Sequence, residues 1–136
     1  MFDATQYATL RAVVDRMIPA DDTPGGLDAS VDQYLLRFLQ HDGAGFAARY
    51  LAGLDALQHE AQLRYQTDFA ALPAPDADTI LHAVARNDTR ATWLYDASAT
   101  IDMMAEHSAE GFYADPRQGG NRNTVSWQMI GFEERR

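Results

Sequence analysis

Gly45-Phe46-Ala47-Ala48-Arg49-Tyr50-Leu51-Ala52-Gly53-Leu54-Asp55-Ala56-Leu57-Gln58-His59-Glu60-Ala61-Gln62-Leu63-Arg64-Tyr65 is the stretch that decides the fold. Tyr50, Leu51, Leu54, Leu57, Ala61 and Tyr65 share one stripe of a helix starting near Gly45, while Asp55, Glu60 and Arg64 fall elsewhere. The same period continues upstream. Tyr7, Leu10, Val14, Met17 and Ile18 predict an amphipathic helix with Asp3 or Thr5 as its N-cap. It stops at Ile18-Pro19, because proline disfavours helical geometry in the residue before it, and the segment from Asp21 to Gly26 is rich in turn formers. A second helix is expected from Asp28 or Ser30, burying Val31, Tyr34, Leu35, Phe38 and Leu39. His41-Asp42-Gly43 closes it, the glycine being suited to a left-handed cap.

Downstream, Thr67 to Leu72 reads as a short capped turn that tucks Phe69 and Leu72 inward before Pro73 and Pro75 interrupt. Asp76 or Asp78 then starts a helix bearing Ile80, Leu81, Val84 and Ala85, which ends near Asn87-Asp88. A last helix is predicted from Thr89 to Glu110, with Leu94, Ala97, Ile101, Met104 and Ala105 toward the core and Trp93 and Tyr95 beside that stripe. From Gly111 the period is lost, and residues 111–136 read as an irregular tail. The expectation is an all-α domain over 1–136, with about five helices and no internal repeat.

Composition narrows the function classes. A chain of 136 residues with 46% hydrophobic content suffices for one packed core without covalent staples. It has no cysteine, which excludes disulfides, thiolate metal sites and thiol nucleophiles. A net charge of -9 opposes nucleic acid and anionic membranes as partners. No run of about 18 apolar residues occurs, so direct membrane insertion is not expected.

The usual catalytic and cofactor motifs are missing. There is no G-x-G-x-x-G following a strand, no G-x-S-x-G, and no lysine for a Schiff base or a phosphate loop. His41, His59, His82 and His107 lie about twenty residues apart, too scattered for a helical zinc or di-iron pair, so no metal site is expected. Asp78 and His82 share a helix face and read as a surface or capping pair. Asp21 and Asp22 read as turn aspartates bonding their own backbone, and Met103-Met104 as core filling. His107, near a helix C-terminus, reads first as a dipole-stabilising imidazolium; the sharper reading takes it into a partner's active site. Gly119-Gly120-Asn121 suits a tight loop or a close backbone approach to a partner, with Tyr113, Trp127 and Phe132 as aromatic anchors.

These residues bring a family into view. Gly111-Phe112-Tyr113-Ala114-Asp115-Pro116, Gly119-Gly120-Asn121, Trp127 and Ile130-Gly131-Phe132 resemble the C-terminal signature of the gluconate 2-dehydrogenase subunit 3 family. Val13-Val14-Asp15-Arg16-Met17-Ile18-Pro19-Ala20-Asp21-Asp22 and Pro24-Gly25-Gly26 resemble its other recurrent stretch, so the likeness spans nearly the whole chain.

The resemblance implies a noncatalytic small subunit, chaperone-like, that forms a heterodimer with a large FAD-binding oxidoreductase of the glucose-methanol-choline type. FAD and the chemistry would belong to the partner subunit, and a cytochrome or iron–sulfur centre would accept the electrons. Ile18, Pro19, Phe112, Tyr113, Asp115, Pro116, Gly119, Gly120, Asn121, Trp127, Ile130 and Phe132 are the expected partner-binding residues, with His107 as a contact to the partner's active site. Members of the family carry a twin-arginine signal, which does not precede the first helix here. The expectation is therefore a cytoplasmic sugar or glycoside dehydrogenase, such as one oxidising the sugar 3-position, with a periplasmic location after signal removal as the alternative. Two other readings compete: a free-standing helical binding module, and a small hydrolase or isomerase using Asp21, Asp22 and His107.

Overall fold

The computed structural model describes residues 1–114 of the protein. They form five α-helices: α1 (Ala4–Met17), α2 (Val31–Gln40), α3 (Ala47–Tyr65), α4 (Ala74–Ala85) and α5 (Ala97–Phe112). Two single 3-10 turns, Ala44–Phe46 and Phe69–Ala71, precede α3 and α4. The described residues contain no strand, so the all-α expectation holds for them.

Asp3 starts α1 through a reciprocal capping box. Its side chain accepts from the Gln6 backbone N–H at 2.7 Å, and the Gln6 side chain accepts from the Asp3 N–H at 3.0 Å. At the other end the chain doubles back, and the Gly26 N–H donates to the Ile18 carbonyl at 2.7 Å. A Cβ on Gly25 would stand 2.5 Å from the Ala20 backbone nitrogen. The Pro-Gly-Gly stretch is thus required by the close approach of two backbone segments. Ser30 does precede α2, but in the left-handed conformation (φ 59°) and without a side-chain capping bond.

Gly43 corrects an expectation. Its φ is -97°, so it is no left-handed cap; a Cβ there would lie 2.3 Å from the Phe38 ring, and the glycine serves packing instead. The left-handed residues that end helices are Gln66 after α3, at φ 55°, and Asn87 after α4, at φ 59°. Helix α3 begins at Ala47, two residues later than expected, and packs against α1, α4 and α5. Tyr50, Leu54, Leu57 and Ala61 are completely enclosed, as the apolar stripe predicts. Burying each leucine in this way contributes about 1.5–3 kcal/mol relative to leaving it exposed. Leu10, Val14, Leu35, Leu39, Phe69, Ile80 and Met104 are among the residues that extend this core, together with Val13, which the stripe on α1 does not single out.

Three further expectations fail for identifiable reasons. Pro73 and Pro75 do not interrupt: Pro73 is the N-cap of α4 and Pro75 lies in its first turn, where a missing N–H costs nothing. Helix α4 therefore starts at Ala74, ahead of Asp76. Helix α5 starts at Ala97 instead of Thr89, because the preceding segment bonds to α3; Leu94 is consequently 77% exposed, and Ala105 also faces outward. Finally, α5 continues through Phe112. Gly111 does not end it but lies against Tyr34, where a Cβ would meet the ring at 2.6 Å.

Candidate functional site

Glu60 is the most constrained ionisable group of the described residues. It was expected away from the apolar stripe, yet it is completely enclosed. The carboxylate accepts from the Arg90 N–H at 3.1 Å, the Ala91 N–H at 3.0 Å, Trp93 Nε1 at 3.0 Å and Arg64 Nε at 2.9 Å. Burial by itself would raise its pKa, but these donors outweigh that effect and hold the group below the ordinary carboxylate value. Glu60 stands seven residues after Gly53, so the two share a helix face, and Gly53 is packed so closely that a Cβ would lie 2.8 Å from the Thr100 methyl.

His107 solves the burial problem differently. It is 7% exposed, with the edges of Phe38 and Phe46 at 4.9 and 4.8 Å between centroids and Tyr50 stacked alongside at 5.9 Å. Its Nδ1 is 3.0 Å from the Tyr50 hydroxyl. Desolvation lowers its pKa against the opposing pull of Glu110 and Glu106, so the dipole-stabilising imidazolium expected from its place on α5 is replaced by a neutral ring. Tyr50 is raised well above its ordinary value by the same burial.

Three further carboxylates are committed to structure. Asp32, 1% exposed, accepts from the Tyr7 hydroxyl at 2.7 Å and from Arg11 at 2.8 Å. Asp78 receives both Arg16 Nε at 2.9 Å and Nη2 at 3.1 Å, and this guanidinium lowers its pKa, so its expected pairing on α4 with His82 is displaced by a partner on α1. Asp21 accepts from the Thr23 N–H at 2.9 Å and hydroxyl at 3.0 Å, the turn role expected of it, and these bonds lower its pKa. Asp21 and His107 thus belong to separate hydrogen-bond sets. An open groove of about 520 Å³ runs beside α1, floored by Tyr7, Leu27, Phe69 and Leu72 and edged by Arg11 and Arg16, whose carboxylate partners are those just named. Among the described residues no three His, Asp or Glu side chains gather as a metal site, and no helix is long and apolar enough to cross a membrane.

Of the expected partner-binding residues, Ile18 is half-buried against the core and Pro19 is exposed beside it. Phe112 is 4% exposed, with its ring edge-on to Tyr113, which is 52% exposed. Asp115, Pro116, Gly119, Gly120, Asn121, Trp127, Ile130 and Phe132 lie outside the described residues. The helix end near Asn87-Asp88 is where the sequence places it; the segment that sequence reasoning missed runs from Thr89 to Asp96, read as helix but bonded to a partner about thirty residues earlier on α3.

Comparison with known proteins adds one finding. The family model described as Gluconate 2-dehydrogenase subunit 3 matches residues 4–133. No curated protein and no solved structure matches the chain.

Proposed function

We propose, because the chain belongs to the gluconate 2-dehydrogenase subunit 3 family, that it is the noncatalytic accessory subunit that binds and stabilises the FAD-containing catalytic chain of a sugar, gluconate or glycoside dehydrogenase. The observation that carries this reading is the family match, which runs from the first helix through the C-terminal signature. The chemistry of the described residues agrees with it. Glu60, Asp32, His107 and Tyr50, the buried ionisable side chains among the described residues, are each engaged in internal hydrogen bonds.

In this proposal the partner is a large glucose-methanol-choline-type subunit that holds FAD and passes electrons to a cytochrome or iron–sulfur acceptor. Binding only the folded form of that subunit shifts its folding equilibrium by mass action, which is how a protein without catalytic groups raises the yield of an enzyme. Pro19 and Tyr113, both exposed, together with the C-terminal signature, form the proposed contact surface. The proposed location is the cytoplasm.

Expressing the FAD-binding chain with and without this protein tests the reading. The expected result is higher yield, FAD content and turnover in its presence; equal values in both preparations contradict it.

A further inference from the structure

Four elements of the fold meet at one ring. His107 of α5 lies against Phe38 of α2, Phe46 of the Ala44–Phe46 turn and Tyr50 of α3, with centroids 4.9, 4.8 and 5.9 Å away. The turn depends on this junction for its place. It has no side-chain capping bond, and its backbone bonds are local: the Ala44 N–H donates to the His41 carbonyl at 3.2 Å and the Phe46 N–H to the Gly43 carbonyl at 2.8 Å. Ala44 and Gly45 are exposed, and a Cβ added at Gly45 would meet nothing within 4 Å. Phe46 is therefore the side chain that ties the turn to the helices. It is 39% exposed, stacks on Phe38 and meets His107.

The junction suits only the uncharged histidine. Among the described residues, the Tyr50 hydroxyl and His107 Nδ1 have each other, at 3.0 Å, as their hydrogen-bond partners. Burial keeps Tyr50 protonated, so the bond is complete when the hydroxyl donates and Nδ1 accepts, which needs a neutral ring. Once Nδ1 carries a proton it must donate to the Tyr50 oxygen, and the hydroxyl hydrogen is left among aromatic carbons without an acceptor. Desolvation of His107 acts in the same direction. The ionisable groups around the junction are Glu106 and Glu110 of α5, Tyr50 of α3, Tyr34 of α2 stacked on Phe38, Asp42, which acts on Tyr34, and the exposed His41 that leads into the turn. Glu106 and Glu110 favour the charged ring but stand exposed. Glu110 follows His107 by three residues on the same helix, so an imidazolium that leaves the aromatic rings has a solvated carboxylate to meet.

We propose that the Ala44–Phe46 turn is an acid-released latch: when His107 takes a proton, its ring leaves Phe38, Phe46 and Tyr50, and the turn lifts from α5 while the five helices stay packed. Loss of the ring that Phe46 rests on removes the turn's main hold, and no bond of its own backbone to another helix replaces it. The latch operates in the isolated protein and stands independently of the accessory-subunit reading.

Amide hydrogen exchange, corrected for the intrinsic effect of pH, tests the latch in wild type, His107→Gln and His41→Gln at about pH 7.5 and about pH 5.5, with and without a low concentration of urea. Opening returns His107 toward its ordinary value of 6.5, so acidification favours the open turn. Protection of the amides of residues 44–46 is expected to fall at least about 3-fold in wild type and in His41→Gln, by the same factor with urea as without, and to hold steady in His107→Gln. Protection that does not change with pH in wild type, or that falls equally in His107→Gln, overturns the latch. Protection that rises in acid overturns it by showing that the aromatic rings hold the imidazolium better than the neutral ring. A fall as sensitive to urea as that of the Ile80 and Leu81 amides in α4 overturns it in favour of unfolding of the whole domain. Should His107→Gln fail to fold, the titration of the His107 imidazole followed by NMR in wild type takes its place: a midpoint shared with the change at residues 44–46 supports the latch, and separate midpoints overturn it.

Discussion

Glu60 and His107 are both ionisable, both buried and both on helices at the centre of the packing, yet the protein keeps one charged and the other neutral. Glu60 meets guanidinium, indole and two backbone donors, enough to replace the water it loses. His107 meets aromatic rings and one hydroxyl, an environment that can satisfy an imidazole but not an imidazolium. A buried charge is tolerated in proportion to the donors aimed at it, and the two sites therefore do different work. The charged one reaches across about thirty residues to fix a loop; the neutral one fills space between α2, α3 and α5.

Removing the charge should break this comparison most severely. Glu60→Ala takes from Arg64 its carboxylate, leaves the N–H donors of Arg90, Ala91 and Trp93 without an acceptor, and should cost about 3–5 kcal/mol in chemical denaturation. In a Trp127→Phe background, the emission of Trp93 should shift to the red as the loop loosens. A loss under about 1 kcal/mol would mean that the loop is held by something other than this carboxylate.

The neutral site should respond less. Tyr50→Phe removes the hydroxyl from His107 while preserving the ring, so about 1 kcal/mol is expected. Arg16→Ala, which breaks a half-exposed pair with Asp78, provides the lower reference at about 0.2–1 kcal/mol. Tyr50→Phe falling below Arg16→Ala would show that burial adds nothing to the Tyr50–His107 bond.

The gentlest probe is pH, with almost no effect at neutrality. Because the folded state holds His107 neutral and lowers its pKa from 6.5, the unfolded chain binds the proton more readily. The stabilising contribution is complete above that value and is lost as pH falls through it toward the lowered folded value. His107→Gln keeps an acceptor for Tyr50 and does not titrate, so its stability should fall less than that of wild type between pH 6.5 and 5. Parallel pH profiles for the two proteins would remove the neutral-histidine assignment.

Much of the fold was legible because hydrophobic period and helix punctuation are local. The stripe from Tyr50 to Ala61, the Asp3 cap and the Ile18-Pro19 stop all appear as read. The break at Asn87-Asp88 was legible, but the 89–96 segment was not, because nothing local in Arg90 to Tyr95 opposes helix; the competing bonds come from Glu60 on α3. Gly43 and Gly111 misled for a related reason. A glycine looks the same in sequence whether it serves positive φ or close packing, and here Phe38 and Tyr34 demand the second. Of the candidate contact residues, the sequence marked Ile18, Pro19, Phe112, Tyr113 and the C-terminal signature through a family pattern. Leu94, read as core from its period, is held outside the core because its loop is anchored to Glu60.

The central claim is that this protein stabilises a flavin-bearing partner by binding it. The most direct measurement is the unfolding midpoint of the purified FAD-binding chain as this protein is titrated in. The account predicts a midpoint that climbs steadily with concentration, equivalent to about 2.7 kcal/mol at a hundredfold excess over the dissociation constant. A midpoint that stays fixed across the titration would contradict it.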